Sequence, residues 1–209
     1  MTNISRRTFL LAAAALPMTA IIPIKAYAAT GKIHQIEGDV FINQVKINSS
    51  TMIRNGDEIV VSPAGKLVFS LGKDAFLLRG GTTLQVYSQQ EDTLVSALRL
   101  VGGAVLGVFG KRKTTTRIYT STATIGIRGT AVYAAISPKQ LYTCTCYGHT
   151  DLIVGLAKDD VIATHHNAHI VTTTKNGHAQ MKAFEVLDHN DDELRMLEAL
   201  VGRKPVFDS

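Results

Sequence analysis

Short runs of apolar and β-branched residues, separated by turn residues, make up almost all of the chain after Thr30. Runs of this length bounded by Gly, Asn, Asp and Pro predict β-strands, since a helix would show an apolar period of 3.6 residues. We therefore predict an all-β fold of stacked short strands, either a sandwich or a short solenoid-like array. The predicted strands are Asp39–Ile47, Asp57–Val61, Lys66–Leu71, Asp74–Leu78, Thr83–Tyr87, Leu94–Val101, Ala104–Phe109, Arg117–Thr120, Ala123–Ile127, Thr130–Ile136, Gln140–Cys146, Thr150–Val154, Asp160–Ala163, Ala168–Thr174 and Ala179–Phe184.

Only the C-terminal part, residues 185–209, shows a helical pattern. Asn190 or Asp191 is suited to cap a first helical turn, and Gly202 followed by Pro205 is suited to end the helix. We predict one amphipathic helix that packs on the β domain as a lid with a structural role. Its apolar stripe consists of Leu194, Leu197, Leu200 and Val201.

The N-terminus carries an export signal. The run from Ser5 through Arg6 and Arg7 to Leu11 resembles the twin-arginine signature, and an apolar stretch follows it from Phe9 to Ile24. Ala26-Tyr27-Ala28 is a small-x-small cleavage site of the kind that signal peptidase accepts. We predict a twin-arginine signal peptide over residues 1–28 and a β domain over 29–184. The mature protein is expected in the bacterial periplasm or secreted, with no stable membrane span.

The charge of the chain does not indicate nucleic-acid binding. The formal net charge is +5, but the predicted signal peptide carries Arg6, Arg7 and Lys25 and no acidic residue, so the mature chain would carry +2. The one basic cluster, residues 111–113 followed by Arg117, is interrupted by threonines and is interpreted as a solvated turn. We expect no nucleic-acid partner.

The segment from Ala123 to Thr130, with the sequence ATIGIRGT, resembles the signature of the FecR domain, the all-β periplasmic module of the iron-dicitrate sensor. Three further segments are similar to the family's pattern: Gly31–Val40, Ile53–Ile59 and Leu98–Val105. Together they cover roughly residues 31–171. The resemblance implies an envelope location, a sensing or signalling role without catalysis, and another envelope protein as partner.

Within this signature, Gly126 and Gly129 are expected to flank a turn or bulge inside a β segment where a Cβ atom would clash. Arg128 is expected to hold a carbonyl or carboxylate oxygen with its planar guanidinium, and Thr130 completes the signature. In sensors of the family a cytoplasmic segment and a spanning helix precede the domain. Here only a cleavable signal precedes Gly31, so we expect no direct action on transcription.

The two cysteines of the chain, Cys144 and Cys146, suggest a metal site. Alternate side chains of a strand share one face, so both thiols point the same way and form a chelating edge for zinc, copper(I) or iron. Six of the seven histidines lie from His149 onward. A metal ion or an iron–sulfur cluster would be held by both cysteines with ligands from His149, His165, His166 and His169.

Four other interpretations of the cysteines remain open. A Cys-x-Cys disulfide is chemically available in the periplasm, but it would close a very small and strained ring. The pair could instead be a labile thiol pair without metal, or inert side chains of a structural module that binds a protein or glycan. A Cys146 nucleophile with His149 or His165 lacks any recognisable nucleophile elbow or oxyanion turn, so we lean against an enzyme. His189 is interpreted as a helix-terminus residue, which could close the metal site if the helix folds back.

Overall fold

The computed structural model describes residues 30–88, 94–138, 140–173 and 179–208. The predicted signal peptide, residues 1–28, lies outside the described residues. So do His178 and Thr174, and Thr174 is the last residue of the predicted strand Ala168–Thr174. No helix among the described residues is long and apolar enough to cross a membrane.

The prediction of an all-β fold with one C-terminal α-helix is confirmed. Helix α1 spans Asp191–Leu200, and a short 3₁₀ turn at Val206–Asp208 follows it. The strands are β1 (Gly31–Glu37), β2 (Val40–Ile42), β3 (Val45–Lys46), β4 (Met52–Ile53), β5 (Glu58–Val61), β6 (Lys66–Leu71), β7 (Asp74–Leu78), β8 (Thr83–Ser88), β9 (Val95–Val108), β10 (Thr116–Tyr119), β11 (Thr124–Ile127), β12 (Ala131–Ser137), β13 (Gln140–Val154), β14 (Ala157–Ala163), β15 (Asn167–Thr173) and β16 (Ala179–Phe184).

The strands form two sheets that share two long strands, β9 and β13. The first sheet has the order β4-β1-β6-β7-β9-β12-β13-β15-β16, and the second has the order β3-β2-β5-β8-β9-β10-β11-β13-β14. The first half of β9 pairs in the second sheet and its second half in the first sheet. The first half of β13 pairs in the first sheet and its second half pairs in the second sheet.

The main core lies between the two sheets. Phe69 and Phe76 of the first sheet and Leu84 and Leu98 of the second are fully buried in one apolar cluster. Burial of such side chains is the main stabilising contribution in a sandwich, at about 1.5–3 kcal/mol for each residue. The side chains on the inner faces of the two sheets therefore form the main hydrophobic core.

The outer face of the first sheet carries a second apolar cluster, which α1 covers. Leu194 and Leu197 of the helix are fully buried there against sheet residues such as Leu77 and Leu106. The helix begins at Asn190, whose side-chain oxygen accepts the backbone N–H of Glu193 at 3.0 Å. The predicted lid therefore packs on the sheet by its apolar stripe.

The predicted strands omit β1 and β4, and they differ from the structure in three further places. The predicted strand Asp39–Ile47 is the hairpin β2–β3, because Asn43 and Gln44 adopt left-handed backbone angles between the strands. The paired predictions at Leu94–Val101 with Ala104–Phe109 and at Gln140–Cys146 with Thr150–Val154 are single strands, β9 and β13.

Glycines permit these long strands to pass from one sheet to the other. Gly103 and Gly148 stand at the crossovers with φ of 75° and 90°. A Cβ atom at Gly103 would lie 2.4 Å from the Cα of Thr82, and one at Gly148 would lie 2.7 Å from the Cβ of Thr130. What looked like a turn in the sequence is therefore a bend inside a continuous strand.

The basic cluster is also different from the prediction. The side chain of Arg112 is only 2% exposed, and it pairs with the fully buried carboxylate of Asp74. Its Nη1 atom also donates to the carbonyl of Val95 at 2.7 Å, and its Nε atom donates to the carbonyl of Gly110 at 3.0 Å. The middle residue of the cluster is thus an internal clamp, not a solvated charge.

Candidate metal centre

Strand β13 places Cys144 and Cys146 on the outer face of the first sheet. Both residues are fully buried, both are free thiols, and both belong to the cluster under α1. The alternation of side chains along a strand explains why the two thiols point to the same side. The disulfide interpretation therefore does not describe this structure.

His166 reaches the thiols from the turn between β14 and β15. The residue has a left-handed φ of 45°, and its backbone N–H donates to the carbonyl of Cys146 at 2.7 Å. Its Nδ1 atom lies 3.6 Å from the sulfur of Cys144, while its Nε2 atom lies 2.9 Å from a carboxylate oxygen of Asp191. A carboxylate on the distal nitrogen orients the ring and strengthens the proximal nitrogen as a metal ligand.

His189 lies directly before the cap of α1, with its ring centroid 5.1 Å from that of His166. Its Nδ1 atom lies 2.7 Å from the carbonyl oxygen of Leu187. Because a carbonyl oxygen can only accept a hydrogen bond, Nδ1 must be the donor. The ring stacks on Tyr133 with centroids 4.6 Å apart and an interplanar angle of 13°. Its Nε2 atom is buried and has no hydrogen-bond partner. This nitrogen therefore offers an unused lone pair inside the cluster.

One donor atom from each of Cys144, Cys146, His166 and His189 lies within 4.8 Å of the other three. Tetrahedral ligands around zinc, at bonds of 2.0–2.3 Å, are about 3.3–3.8 Å apart, so no pair of donors needs to approach by more than about 1.5 Å. Two thiolates with two imidazoles are a typical ligand set of structural zinc sites. With four protein ligands the coordination shell is complete, which does not favour catalysis at the metal.

The surroundings of Cys144 also suit a cation. Hydrogen bonding from Cys146, and then from His166, lowers the pKa of Cys144, and the nearby His189 acts in the same direction, although burial opposes this shift. Burial, together with the neighbouring Cys144, raises the pKa of Cys146. The hydrogen bond to Cys144, followed by that to Asp191, raises the pKa of His166. The surroundings of Cys144 therefore favour negative charge on its sulfur.

A cavity of about 400 Å³ borders the cluster and is lined by His166, His189 and Asp191, among others. The exposed His165 stands at its rim, with its Nε2 atom 2.9 Å and 3.1 Å from the two oxygens of Asp191. His165 and Asp191 therefore form an outer polar layer through which an ion could reach the buried thiols.

Two of the predicted ligands lie elsewhere. Ala168 of β15 packs in the outer cluster. Because successive side chains of a strand point to opposite faces, the next residue, His169, turns away from that cluster. His149 lies on the second half of β13, where its Nε2 atom is 3.5 Å from Asp151 and 3.7 Å from Asp160.

The surroundings of His149 form an ion-pair network. Arg128 pairs with Asp151 at 2.9 Å, and Lys158 lies 3.4 Å from Asp151 and 3.5 Å from Asp160. Two cations thus balance the two carboxylates, so this group does not favour a metal ion. The carboxylate partner expected for Arg128 is Asp151.

The glycines of the ATIGIRGT segment serve different purposes. Gly126 lies inside β11 opposite Asp151, and an added Cβ atom would approach the Cβ of Asp151 to 3.2 Å. Gly129 has a φ of 69° in the connection between β11 and β12. The next residue, Thr130, is buried and lies beside Gly148, where β13 bends. The segment therefore supports the crossover of β13 and does not line the cysteine cluster.

The sequence interpretation left His189 out of the predicted ligands and allowed it to close the site only if the helix folds back. A histidine immediately before a helix cap is typical of a terminus residue, and only the docking of α1 on the outer face brings it to the thiols. An acidic residue two positions later, Asp191, is a weak signal in the sequence, since carboxylates often orient metal-binding histidines.

The fold is similar to that of two crystal structures, each of a candidate anti-sigma factor from Parabacteroides distasonis, with TM-scores of 0.51 and 0.52. Sequence identity is 13% in both cases, and the match covers 61% of this chain and 60% of each of those chains. The chain thus spans less than two thirds of the length of the structures it matches, and the likeness concerns the fold. No protein-family model and no curated protein sequence matches the chain.

Proposed function

We propose that this chain is a non-catalytic sensing or binding module of FecR-domain type that holds one transition-metal ion. The ligands are Cys144, Cys146, His166 and His189. The observation that carries the proposal is the buried Nε2 atom of His189, which has no hydrogen-bond partner, in a residue with one ring nitrogen within 4.8 Å of the other donors. A buried nitrogen without a partner is costly, and a metal ion would remove that cost.

Zinc is the ion that the ligand set favours, with copper(I) and iron as the alternatives to be distinguished by experiment. Thiolate and imidazole ligands suit all three, but a closed tetrahedral set of two sulfurs and two nitrogens is most typical of zinc. Metal binding would also protect the thiols from oxidation in the periplasm, because coordinated thiolates are no longer free to form a disulfide.

The role in signalling rests on the fold and on the export signal. The likeness to candidate anti-sigma factors supports a regulatory role that involves another protein. The twin-arginine-type signal supports action in the bacterial envelope, so we propose an envelope protein as the partner. Replacement of both Arg6 and Arg7 by Lys should retain the protein in the cytoplasmic fraction, and unchanged export would contradict the proposed route.

Metal analysis of protein purified from its native host under reducing conditions tests the site. We expect about one metal ion per chain, and cobalt(II) substitution should give the visible and near-ultraviolet bands of tetrahedral thiolate ligation. The Cys144→Ser/Cys146→Ser variant should lose the ion, whereas His169→Ala, a histidine outside the cluster, should retain it. A fully folded wild-type protein that neither contains nor takes up a metal would overturn the proposal and favour a structural interaction module.

A further inference from the structure

The four candidate ligands come from two parts of the molecule that meet only in the folded state. Cys144, Cys146 and His166 belong to the first sheet and its turn, whereas His189 belongs to the segment that leads into α1. A second link joins the same parts, because Asp191, the first residue of α1, holds the Nε2 atom of His166 at 2.9 Å. A bound ion would therefore bond the C-terminal segment to the sheet.

Other attachments of this segment are few near its start. Val186 and Leu187 are 43% and 37% exposed. The N–H of Leu187 donates to the Tyr142 hydroxyl at 2.9 Å, and that hydroxyl donates to the carbonyl of Glu185 at 3.1 Å. Arg79 adds contacts to the carbonyl of Asp188 at 2.5 Å and to the carboxylate of Glu193 at 2.7 Å. These contacts are partly exposed side-chain bonds of the kind that open readily.

Helix α1 depends on the sheet for its stability. It has 10 residues, and isolated helices shorter than about 12–15 residues are marginal in water. Its fully buried side chains, Leu194 and Leu197, lie against the outer face that also contains both cysteines. Release of the segment would therefore unfold the helix and uncover an apolar face of the first sheet.

We propose that metal occupancy clamps residues 185–208 onto the first sheet, and that loss of the ion increases opening of this segment and exposure of the apolar face beneath it. The inference rests on the proposed metal site and assigns it a regulatory consequence. An open segment would keep at most three of the four ligands and would bind the ion more weakly. Thermodynamic linkage then requires that the ion favour the closed state.

Hydrogen–deuterium exchange of the full chain, with and without zinc under reducing conditions, tests the clamp. If the open state binds zinc only negligibly, zinc at about 100 times its Kd should slow exchange of the helix amides, residues 191–203, by about 100-fold. Amides of β5 and β8 in the second sheet should change little. Metal content is measured on the same samples.

Two variants and one control variant keep the test independent of the fold. In His189→Ala the sheet retains three ligands, so the protein should bind zinc more weakly, and the bound ion should no longer slow exchange in the helix. Asp191→Asn should reduce the slowing, because it weakens the second link, while His169→Ala should show the full wild-type effect. The ratio of rates with and without zinc is compared within each variant, so a general loss of stability does not imitate the result.

The outcomes separate the clamp from the proposed function. Slower exchange in the helix that depends on His189 supports the clamp. A stoichiometric ion with unchanged helix exchange, or with equal slowing in His189→Ala, overturns the clamp and leaves the metal site intact. Absence of bound metal from the folded wild-type protein overturns both.

Discussion

Replacement of Arg112 by Met should strongly destabilise the fold, because Arg112 neutralises a carboxylate inside the protein. The side chains of Arg112 and Asp74 are 2% and 0% exposed. Asp74 also accepts the backbone N–H groups of Val95 and Gly110, both at 2.9 Å. Removal of one partner from a buried ion pair typically costs about 3–5 kcal/mol, because the other charge remains without compensation. We expect a loss in this range at pH 7.5.

The loss should shrink as the pH is lowered. Burial raises the pKa of Asp74, while Arg112 and the two backbone N–H groups oppose this shift. Without Arg112 the pKa should rise further. A carboxyl group whose pKa is higher in the folded state than in the unfolded state penalises folding above its unfolded pKa, and the penalty disappears as the pH falls. The variant should therefore recover relative to wild type between pH 7.5 and pH 4.5.

Urea unfolding of the metal-free protein, followed by far-ultraviolet circular dichroism at both pH values, measures this effect. Lys111→Met is the matched control, since Lys111 is the exposed neighbour in the same basic cluster and should change the free energy of unfolding by no more than about 0.5 kcal/mol. The reasoning fails if Arg112→Met costs less than about 1 kcal/mol at pH 7.5. It also fails if the gap to wild type widens on acidification.

Three further predictions concern the outer face. Leu197→Ala should lower the free energy of unfolding by about 2–5 kcal/mol, because it leaves a cavity under α1; a urea midpoint close to wild type would contradict this burial. Tyr142→Phe removes the acceptor for the Leu187 N–H and should cost about 0.5–1.5 kcal/mol with faster amide exchange at Leu187, and unchanged exchange there would refute the contact. Zinc at about 100 times its Kd should raise the free energy of unfolding by about 2.7 kcal/mol and raise Tm, and a chelator should reverse both changes. The same rise in the Cys144→Ser/Cys146→Ser variant would place the ion elsewhere.

Most of the strands could be predicted because the sandwich alternates buried and exposed positions over short, clearly bounded segments. The long strands β9 and β13 could not be predicted as continuous. Gly103 and Gly148 look like turn residues in the sequence, whereas the structure uses their positive φ angles to carry a strand from one sheet to the other. The same property of glycine thus serves either a turn or a crossover, and only the tertiary pairing decides between them.

The candidate site could be predicted only in part. The shared face of Cys144 and Cys146 follows from the period of a strand, and the position of His166 in a turn is visible in the sequence. The participation of His189 depends on how α1 docks, and the separation of His149 from Cys146 depends on the bend at Gly148. Both are properties of tertiary structure that local patterns do not contain.

The register of β13 has a further consequence for the cysteines. Cys144 lies opposite Tyr133 of β12 on one side and Ala168 of β15 on the other. A slip of this strand by one residue would turn Thr143 and Thr145 toward α1 and hide both thiols in the opposite face. Hydroxyl groups cannot replace thiolates as ligands for a soft metal ion. Metal uptake by this chain would thus also report that its central strand has been paired in the correct register.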